Sequence, residues 1–159
     1  MGKSGKAWQT MFRGCFEHTL DDKGRVSIPA TFRKALGLQD EGLIVTKFII
    51  SSFRCLDVYP LAEWETLEQE LTKKPRFEET FHKIESFYLA NAQECQVDKQ
   101  GRILLPPHLR EHARLEKNVM FAAALKKFRI WDKTTWDRFN AESEQQFLQN
   151  PNMFNGMNA

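Results

Sequence analysis

The chain has 159 residues, of which 42% are hydrophobic and 28% are charged, and its formal net charge is +2. These values are typical of a globular chain that forms one domain or two small domains sharing a core. No apolar run approaches the ~20 residues that a membrane-spanning helix needs, and the N-terminus lacks the apolar segment of a signal peptide. The sequence therefore predicts a protein without a membrane partner.

The charges are distributed unevenly along the chain. Residues 1–34 contain seven Lys or Arg and three Asp or Glu, whereas residues 60–79 contain six Glu and three Lys or Arg. This division is compatible with a basic binding face and an acidic, solvated helix, although ordinary surface charge would give the same pattern.

One ten-residue pattern occurs twice. Residues 20–29 are LDDKGRVSIP, and residues 97–106 are VDKQGRILLP, so the pattern returns 77 positions later. Each copy has an Asp, a Gly and an Arg at the same spacing, followed by an apolar run and a Pro. An internal repeat of this kind predicts a tandem pair of one small module.

The first module is predicted over residues 11–59, after a flexible extension over residues 1–10. A strand leads into the turn at Asp21, and the run after Arg25 continues as the second strand of a hairpin. A short helix is predicted over 30–36, with Gly37 ending it, and strands are predicted over 43–50 and 55–59. Residues 60–90 are predicted as a helical connector, with a break at Pro75 and with Phe77, Phe81, Ile84 and Tyr88 on one face.

The second module is predicted over residues 91–131 in the same order. Strands are expected over 91–97, 103–105, 119–125 and 127–131, with a helix after Pro106-Pro107. Trp131 and Trp136 occupy the positions of Tyr59 and Trp64 in the first module. A closing helix is predicted over 132–149, and a disordered tail over 150–159.

The chemistry of the repeated turns favours contact with an anion. Asp21 and Asp98 can accept hydrogen bonds from backbone N–H groups of their turns, and Gly24 and Gly101 can adopt a positive φ. Arg25 and Arg102 have planar guanidinium groups suited to phosphate or to guanine. The alternative is that each Asp and Arg form an ion pair that joins the two copies.

The combination of motifs resembles the MraZ family. It includes MFRG at residues 11–14, HTLDDKGRVSIPATFR at residues 18–33 and the second motif DKQGR at residues 98–102. The similarity extends over residues 11–145. It implies a mixed α/β, β-rich fold in which two tandem swapped-hairpin repeats, like those of AbrB and MazE, form a pseudo-dimeric barrel with connecting helices.

The resemblance also implies a function. Members of this family are transcriptional regulators of the division and cell-wall gene cluster that form ring oligomers and bind short repeated DNA sequences upstream of their own operon. A cytoplasmic, nucleoid-associated protein is therefore expected, with double-stranded promoter DNA and further copies of itself as partners. The alternative is a structural assembly or antitoxin-like protein-binding module whose loops are oligomer contacts.

Five cations are candidates for DNA contact, and they are Lys23, Arg25, Lys99, Arg102 and Arg13. Arg13 is also a candidate for a subunit interface, and Gln100 in place of Lys23 makes an equal contribution of the two turns uncertain. Arg33 and Lys34 suit the C-terminal end of a helix dipole as well as they suit DNA.

An enzyme is not expected, and neither is a cofactor, a metal or a small-molecule substrate. Cys15, Cys55 and Cys95 are too far apart in sequence for a zinc motif and are predicted to be small buried residues in an intracellular protein. The spacing of His108 and His112 suits a metal on a helix, but Leu109-Arg110-Glu111 between them lacks the His-Glu-x-x-His order of a zinc protease motif. Two surface histidines are the favoured interpretation.

Overall fold

The computed structural model describes residues 11–37 and 42–157, and within them the order of two strands, a helix, two strands and a helix occurs twice. The strands are β1 Cys15–Thr19, β2 Arg25–Ser27, β3 Leu43–Ile50, β4 Phe53–Pro60, β5 Gln93–Cys95, β6 Arg102–Leu104, β7 Asn118–Ala124 and β8 Lys127–Asp132. The helices are α1 Ala30–Leu36, α2 Leu61–Thr72, α3 Glu79–Lys83, α4 Pro107–Ala113 and α5 Lys133–Gln149. A π-helical segment, Ile84–Leu89, continues α3, and a 3-10 helix spans Met153–Met157.

The two halves exchange strands. Six strands form one antiparallel sheet in the order β1-β7-β8-β4-β3-β5, and β2 pairs with β6 in a separate ribbon. Thus β1 of the first half lies beside β7 of the second, while β5 of the second half lies beside β3 of the first. The mixed, β-rich α/β class is confirmed, and in the described residues its strands form two sheets.

The prediction of a hairpin around the Asp21 turn is wrong, because the strands before and after this turn do not pair with each other. The backbone of β1 is hydrogen-bonded to β7, and that of β2 is hydrogen-bonded to β6. A strand can pair along only two edges. The neighbouring strand in the sequence does not pair there when a strand from the other repeat provides a better apolar match. Val26 and Ile103, which face each other in the ribbon, are both almost fully buried.

The core lies between the ribbon, the six-stranded sheet and the short helices α1 and α4. Its aromatic centre is Phe32 of α1, with its ring centroid 5.3 Å from that of Phe12 and 4.9 Å from that of Phe128. From α4, Leu109 and Ala113 enter the same cluster. The core thus packs against one face of the ribbon, and the opposite face of the ribbon points outward.

Prolines begin the helices where the sequence predicts them. Pro29 and Pro60 precede α1 and α2, and Pro107 is the first residue of α4. Proline suits these positions because its φ is already helical and the first turn needs no N–H from it. The equivalence of the two halves is confirmed by packing, because Trp64 lies on Tyr59 and Trp136 lies on Trp131.

The connector is tied to the sheet by a buried carboxylate. Asp57 is fully buried and accepts hydrogen bonds from Arg129 Nε at 2.7 Å and Lys127 Nζ at 3.0 Å. The hydroxyl of Tyr88, at the end of the connector, also donates to Asp57. Burial and the Asp57 carboxylate raise the pKa of the Tyr88 hydroxyl far above its usual value, so it remains a donor.

Several local predictions differ from the structure. Phe77 is 98% exposed, because α3 begins two residues later at Glu79 and Phe77 lies outside it. The tail was expected to be disordered, but Met153–Met157 form a 3-10 helix in which Phe154 stacks on Phe147 of α5. Cys55 and Cys95 are buried as predicted, whereas Cys15 is exposed because it alternates outward on β1. The predicted extension 1–10 lies outside the described residues.

Where the structure is described, no helix is both long and apolar enough to cross a bilayer.

Candidate nucleic-acid interface

Asp21 organises the first turn through its side chain. Its Oδ1 accepts hydrogen bonds from the backbone N–H of Lys23 at 2.9 Å and of Arg25 at 2.8 Å. The backbone N–H of Gly24 also donates to the Asp21 carbonyl, which closes the turn. The hydrogen-bond partners that close this turn therefore all lie within the five consecutive residues 21–25.

The same carboxylate positions the arginine. Arg25 Nε donates to Asp21 Oδ2 at 2.8 Å, and the Arg25 side chain is 34% exposed. The backbone N–H of Arg25, and then its guanidinium and the N–H of Lys23, lower the pKa of Asp21 to about 2. Asp21 is therefore ionised at neutral pH, and its ion pair holds the Nε of the partly exposed Arg25 guanidinium.

The second turn has the same geometry. Asp98 Oδ1 accepts the N–H groups of Gln100 and Arg102, each at 2.9 Å, and Arg102 Nε donates to Oδ2 at 3.1 Å. The N–H of Arg102 is the main cause that lowers the pKa of Asp98. Lys99 is exposed at the tip of this turn, as Lys23 is at the first.

Each Asp–Arg ion pair lies within its own turn. Asp21 pairs with Arg25 and Asp98 pairs with Arg102, in both cases four residues along the chain. In this chain the pairs do not bridge the repeats, which was the alternative that the sequence left open. The repeats are joined instead by strand pairing, in the β2–β6 ribbon and in the six-stranded sheet.

The ribbon presents both arginines on one outward face. Arg25 is opposite Leu104, and Arg102 is opposite Ser27, so these four side chains point away from buried Val26 and Ile103. Strand geometry places the Cα atoms of Arg25 and Arg102 about 8 Å apart. Leu104, which is 56% exposed, is an apolar group between the two turns.

Two arginines on the short helices each lie against the turn of the other repeat. The sequence did not lead us to group them with the turns. Arg110 of α4 donates from Nε to the Leu105 carbonyl at 2.9 Å, and Arg33 of α1 donates to the Ile28 carbonyl at 3.1 Å. A Cβ added at Gly24 would lie 2.8 Å from Arg110 Nε, and one at Gly101 would lie 2.6 Å from an Arg33 terminal nitrogen. The signal was available, since Arg110 follows Arg33 at the same interval of 77 residues.

The turns and these helix arginines together form a cationic surface, which we call the turn face. Its cations are Lys23, Arg25, Arg33, Lys99, Arg102 and Arg110. Its carboxylates are Asp21, Asp22 and Asp98, of which two are already paired with arginine. A positively charged surface with planar guanidinium groups suits the phosphate backbone of a nucleic acid.

Arg13 lies apart from the turns. It is exposed and precedes Gly14, and it borders a surface depression next to Thr31 and Lys34 of α1. The structure therefore places it at the side of α1 rather than with Arg25 or Arg102.

The histidines of α4 do not form a pair on the surface. His112 is buried, and its Nε2 is 3.0 Å from the carbonyl of Phe48, while His108 is exposed. The prediction of two surface histidines is wrong for His112, because α4 packs that side against β3 and β4. Among the described residues no group of three or more His, Cys, Asp or Glu is arranged to hold a metal ion.

Comparison with known families gives two matches in one chain. The family described as "MraZ protein, putative antitoxin-like" matches residues 11–86 and, separately, residues 88–154. The two matches cover the two halves that exchange strands in the structure, and each contains one of the Asp–Arg turns.

Curated relatives match most of the chain. A protein of Caldanaerobacter subterraneus subsp. tengcongensis named transcriptional regulator MraZ is 44% identical over 137 residues, which is 86% of this chain and 92% of that protein. Proteins of the same name from Desulforamulus reducens and Natranaerobius thermophilus are 44% and 39% identical, over 87% and 86% of this chain and 94% and 92% of their own lengths.

Proposed function

We propose that this chain, which belongs to the MraZ family, is a transcriptional regulator that binds double-stranded DNA through its turn face. The relatives carry the name of transcriptional regulators, and the main structural support is the cationic ribbon with two matching turns. Its targets are short repeated elements upstream of its own operon in the division and cell-wall gene cluster. It acts in the cytoplasm at the nucleoid, as a ring of identical subunits.

The ribbon offers both parts of a DNA-reading surface. Lys23 and Lys99 are exposed point charges at the tips, suited to phosphate contacts that position the protein. Arg25 and Arg102 project from a two-stranded antiparallel ribbon, an element that the major groove of B-DNA admits, and a guanidinium can donate two hydrogen bonds to guanine. Leu104 between them can contact a thymine methyl group.

A ring would convert weak single contacts into tight binding. One turn face supplies only a few phosphate contacts, so one subunit on one DNA element binds weakly. When subunits are linked, avidity raises the affinity by a factor of ~10²–10⁴ without any new contact, provided that the spacing of the elements matches that of the subunits. Repeated elements at regular spacing are the target that this arrangement favours.

The decisive experiment removes the Arg25 guanidinium. We expect Arg25→Ala to weaken binding to the chain's own upstream repeats by roughly 10-fold or more, and to reduce the preference for these repeats over unrelated DNA. Binding is measured by gel shift or fluorescence anisotropy at several salt concentrations, and assembly mass is measured by light scattering.

Lys126→Ala is the control, because it removes an exposed positive charge from the turn that follows β7, whereas the Asp21 turn lies at the start of β7. It should leave affinity and mass unchanged. Normal DNA binding by Arg25→Ala would refute the assignment of the turn. Loss of the assembly in Arg25→Ala would favour the alternative, a protein-binding module whose turns are oligomer contacts.

A further inference from the structure

An apolar groove lies between the connector and the six-stranded sheet. Its volume is about 710 Å³, which is within the usual size range of small-molecule pockets in proteins. The helices α2 and α3, the π-helical segment and the strands β3, β4 and β8 contribute side chains to it. We call it the connector groove, and its aliphatic and aromatic lining includes Ile49, Leu67, Leu71, Ile84 and Phe87.

Two lysines line the connector groove, and they differ in burial. The Lys83 side chain is 75% exposed and has Glu79 as a partner at 3.8 Å. The Lys127 side chain is only 20% exposed, and its ammonium lies 4.8 Å from the ring centroid of Tyr59 and 5.3 Å from that of Phe48. Lys127 is therefore the charge that a molecule within the apolar wall would contact.

The group that lies behind this wall has more positive than negative charge. It contains Asp57, Tyr59, Tyr88, Lys127 and Arg129, and we call it the Asp57 cluster. Its single carboxylate is fully buried and accepts hydrogen bonds from two cations, whose side chains are both less than a quarter exposed. A charge that is removed from water is costly unless an opposite charge compensates for it. An anion in the connector groove would neutralise the second cation.

The hydrogen bonds of the Asp57 cluster leave a donor of Lys127 for such an anion. An ammonium group has three N–H donors. Within the described residues two of them are used, by Asp57 Oδ2 and by the Tyr59 hydroxyl, each at 3.0 Å. The Tyr59 and Tyr88 hydroxyls are 2.7 Å apart, and Tyr88 donates to Asp57. The two tyrosines thus already have partners, and the third N–H of Lys127 remains for a ligand.

We propose that the connector groove binds a small amphiphilic anion, whose apolar body lies along Leu67, Leu71 and Phe87 and whose carboxylate accepts a hydrogen bond from Lys127. Burial of the apolar body supplies most of the affinity. The charge-assisted hydrogen bond selects an anionic head over a neutral one, because the ammonium is mostly removed from water. A medium-chain fatty acid is the simplest molecule of this class.

The acidic surface of the connector is compatible with this ligand. Residues 60–90 contain seven Glu and four Lys or Arg, but none of the described residues that line the connector groove is acidic. Glutamates outside the groove act through water, where salt screens their charge over about 10 Å. They slow the approach of an anion without contacting it in the bound state.

The first test compares three probes with the same alkyl chain: decanoate, decanol and decylammonium. Isothermal titration calorimetry at neutral pH, below the micelle concentration of each probe, measures their affinity for the full chain. We expect decanoate to bind roughly tenfold more tightly than decanol, and decylammonium to bind least tightly. Equal affinities, tighter binding of decylammonium or no binding at all would each overturn the proposal.

The second test removes the ammonium. Lys127→Met keeps a straight apolar side chain and leaves Asp57 with Arg129, which is a balanced ion pair. It should lower the affinity for decanoate about tenfold, to that of decanol, and leave decanol binding unchanged. Lys126→Met, at the exposed neighbouring position, is the matched control and should bind decanoate as the parent does. Parent affinity for decanoate in a folded Lys127→Met would refute the assignment of the head group.

The third test locates the apolar body. Leu71→Asp places a carboxylate in the wall of the connector groove and should abolish binding of both decanoate and decanol. Leu148→Asp places the same charge on a leucine of α5 that is 70% exposed, on the other apolar surface to which an alkyl chain can adsorb. It should keep the parent affinity. The reverse result, with binding lost only in Leu148→Asp, would place the probe outside the groove and overturn the proposal.

This inference is independent of DNA binding, because the connector groove shares no residue with the turn face. Lys127→Met should keep the DNA affinity of the parent, and Arg25→Ala should bind decanoate normally. The two proposals therefore fail by different measurements.

Discussion

At the scale of single residues, Gly24 and Gly101 decide how closely the repeats approach each other at the turns. Gly24 has φ +89°, and the guanidinium of Arg110 occupies the space where a Cβ would be. Gly101 has φ +77° and the same relation to Arg33. A side chain here would both strain the turn and displace an arginine of the turn face.

The residue-scale prediction compares Gly24→Ala with Gly37→Ala. Both glycines have positive φ, but a Cβ at Gly37 would have no neighbour within 4 Å. Each substitution should lower the free energy of unfolding by about 1–3 kcal/mol through backbone strain. Only Gly24→Ala should also weaken DNA binding, because only it moves Arg110. Urea denaturation and anisotropy titrations at a temperature where both variants are folded measure the two effects, and equal DNA affinity would show that the position of Arg110 is irrelevant.

At the scale of elements, the Asp57 cluster decides how the connector lies on the sheet. Asp57 of β4 faces Arg129 of β8 across the centre of the six-stranded sheet, at equivalent positions of the two repeats. Tyr88 joins this pair from the π-helical segment, and the hydroxyl of Thr46 donates to the Tyr88 carbonyl at 2.5 Å. The two repeats thus differ at the centre of the sheet. The first repeat contributes the Asp57 carboxylate, and the second contributes its cationic partners Lys127 and Arg129.

We expect Asp57→Ala to destabilise the protein by about 3 kcal/mol. Removing the carboxylate leaves Arg129 and Lys127 mostly buried and without their partner, and breaking a buried ion pair in this way is costly. Asp137→Ala, which removes an exposed partner of Lys133, should cost less than about 1 kcal/mol. The midpoints of guanidinium denaturation compare the two. Similar midpoints would mean that the cluster contributes little to stability.

At the scale of the whole molecule, the exchange of strands makes each repeat depend on the other. In a chain limited to residues 11–90, β1 would lack β7, β2 would lack β6 and β3 would lack β5. The edges of these three strands would be unpaired, and the side of β2 that faces the core would be exposed. One repeat alone therefore lacks a complete fold as a monomer.

We predict that fragments 11–90 and 91–159 do not fold separately as monomers and that they recover the parent's structure when they are co-expressed. Dispersed amide signals in the ¹H–¹⁵N spectrum and the circular dichroism of the complex measure this recovery. A dispersed spectrum from one monomeric fragment would contradict the prediction, because it would show that strands within one repeat satisfy each other.

The sequence by itself determined the local elements of this protein. The turns at Asp21 and Asp98 follow from side chains that bond to backbone groups within four residues, and prolines fix the starts of α1, α2 and α4. The ten-residue pattern that occurs twice predicted the two-repeat layout, which the two family matches confirm. These features are set by residues that lie close together in the sequence, and so the local sequence is sufficient to predict them.

The tertiary structure alone decided which distant groups meet. Two similar repeats offer each strand an equivalent partner in either half, and the residues by themselves favoured the nearer one for β2, although it pairs with β6. The same exchange places Arg110 against Gly24, buries His112 beside Phe48 and brings Asp57 to Arg129. The physical reason is that burial of a shared core selects among pairings that are locally equivalent, and that selection depends on the whole chain at once.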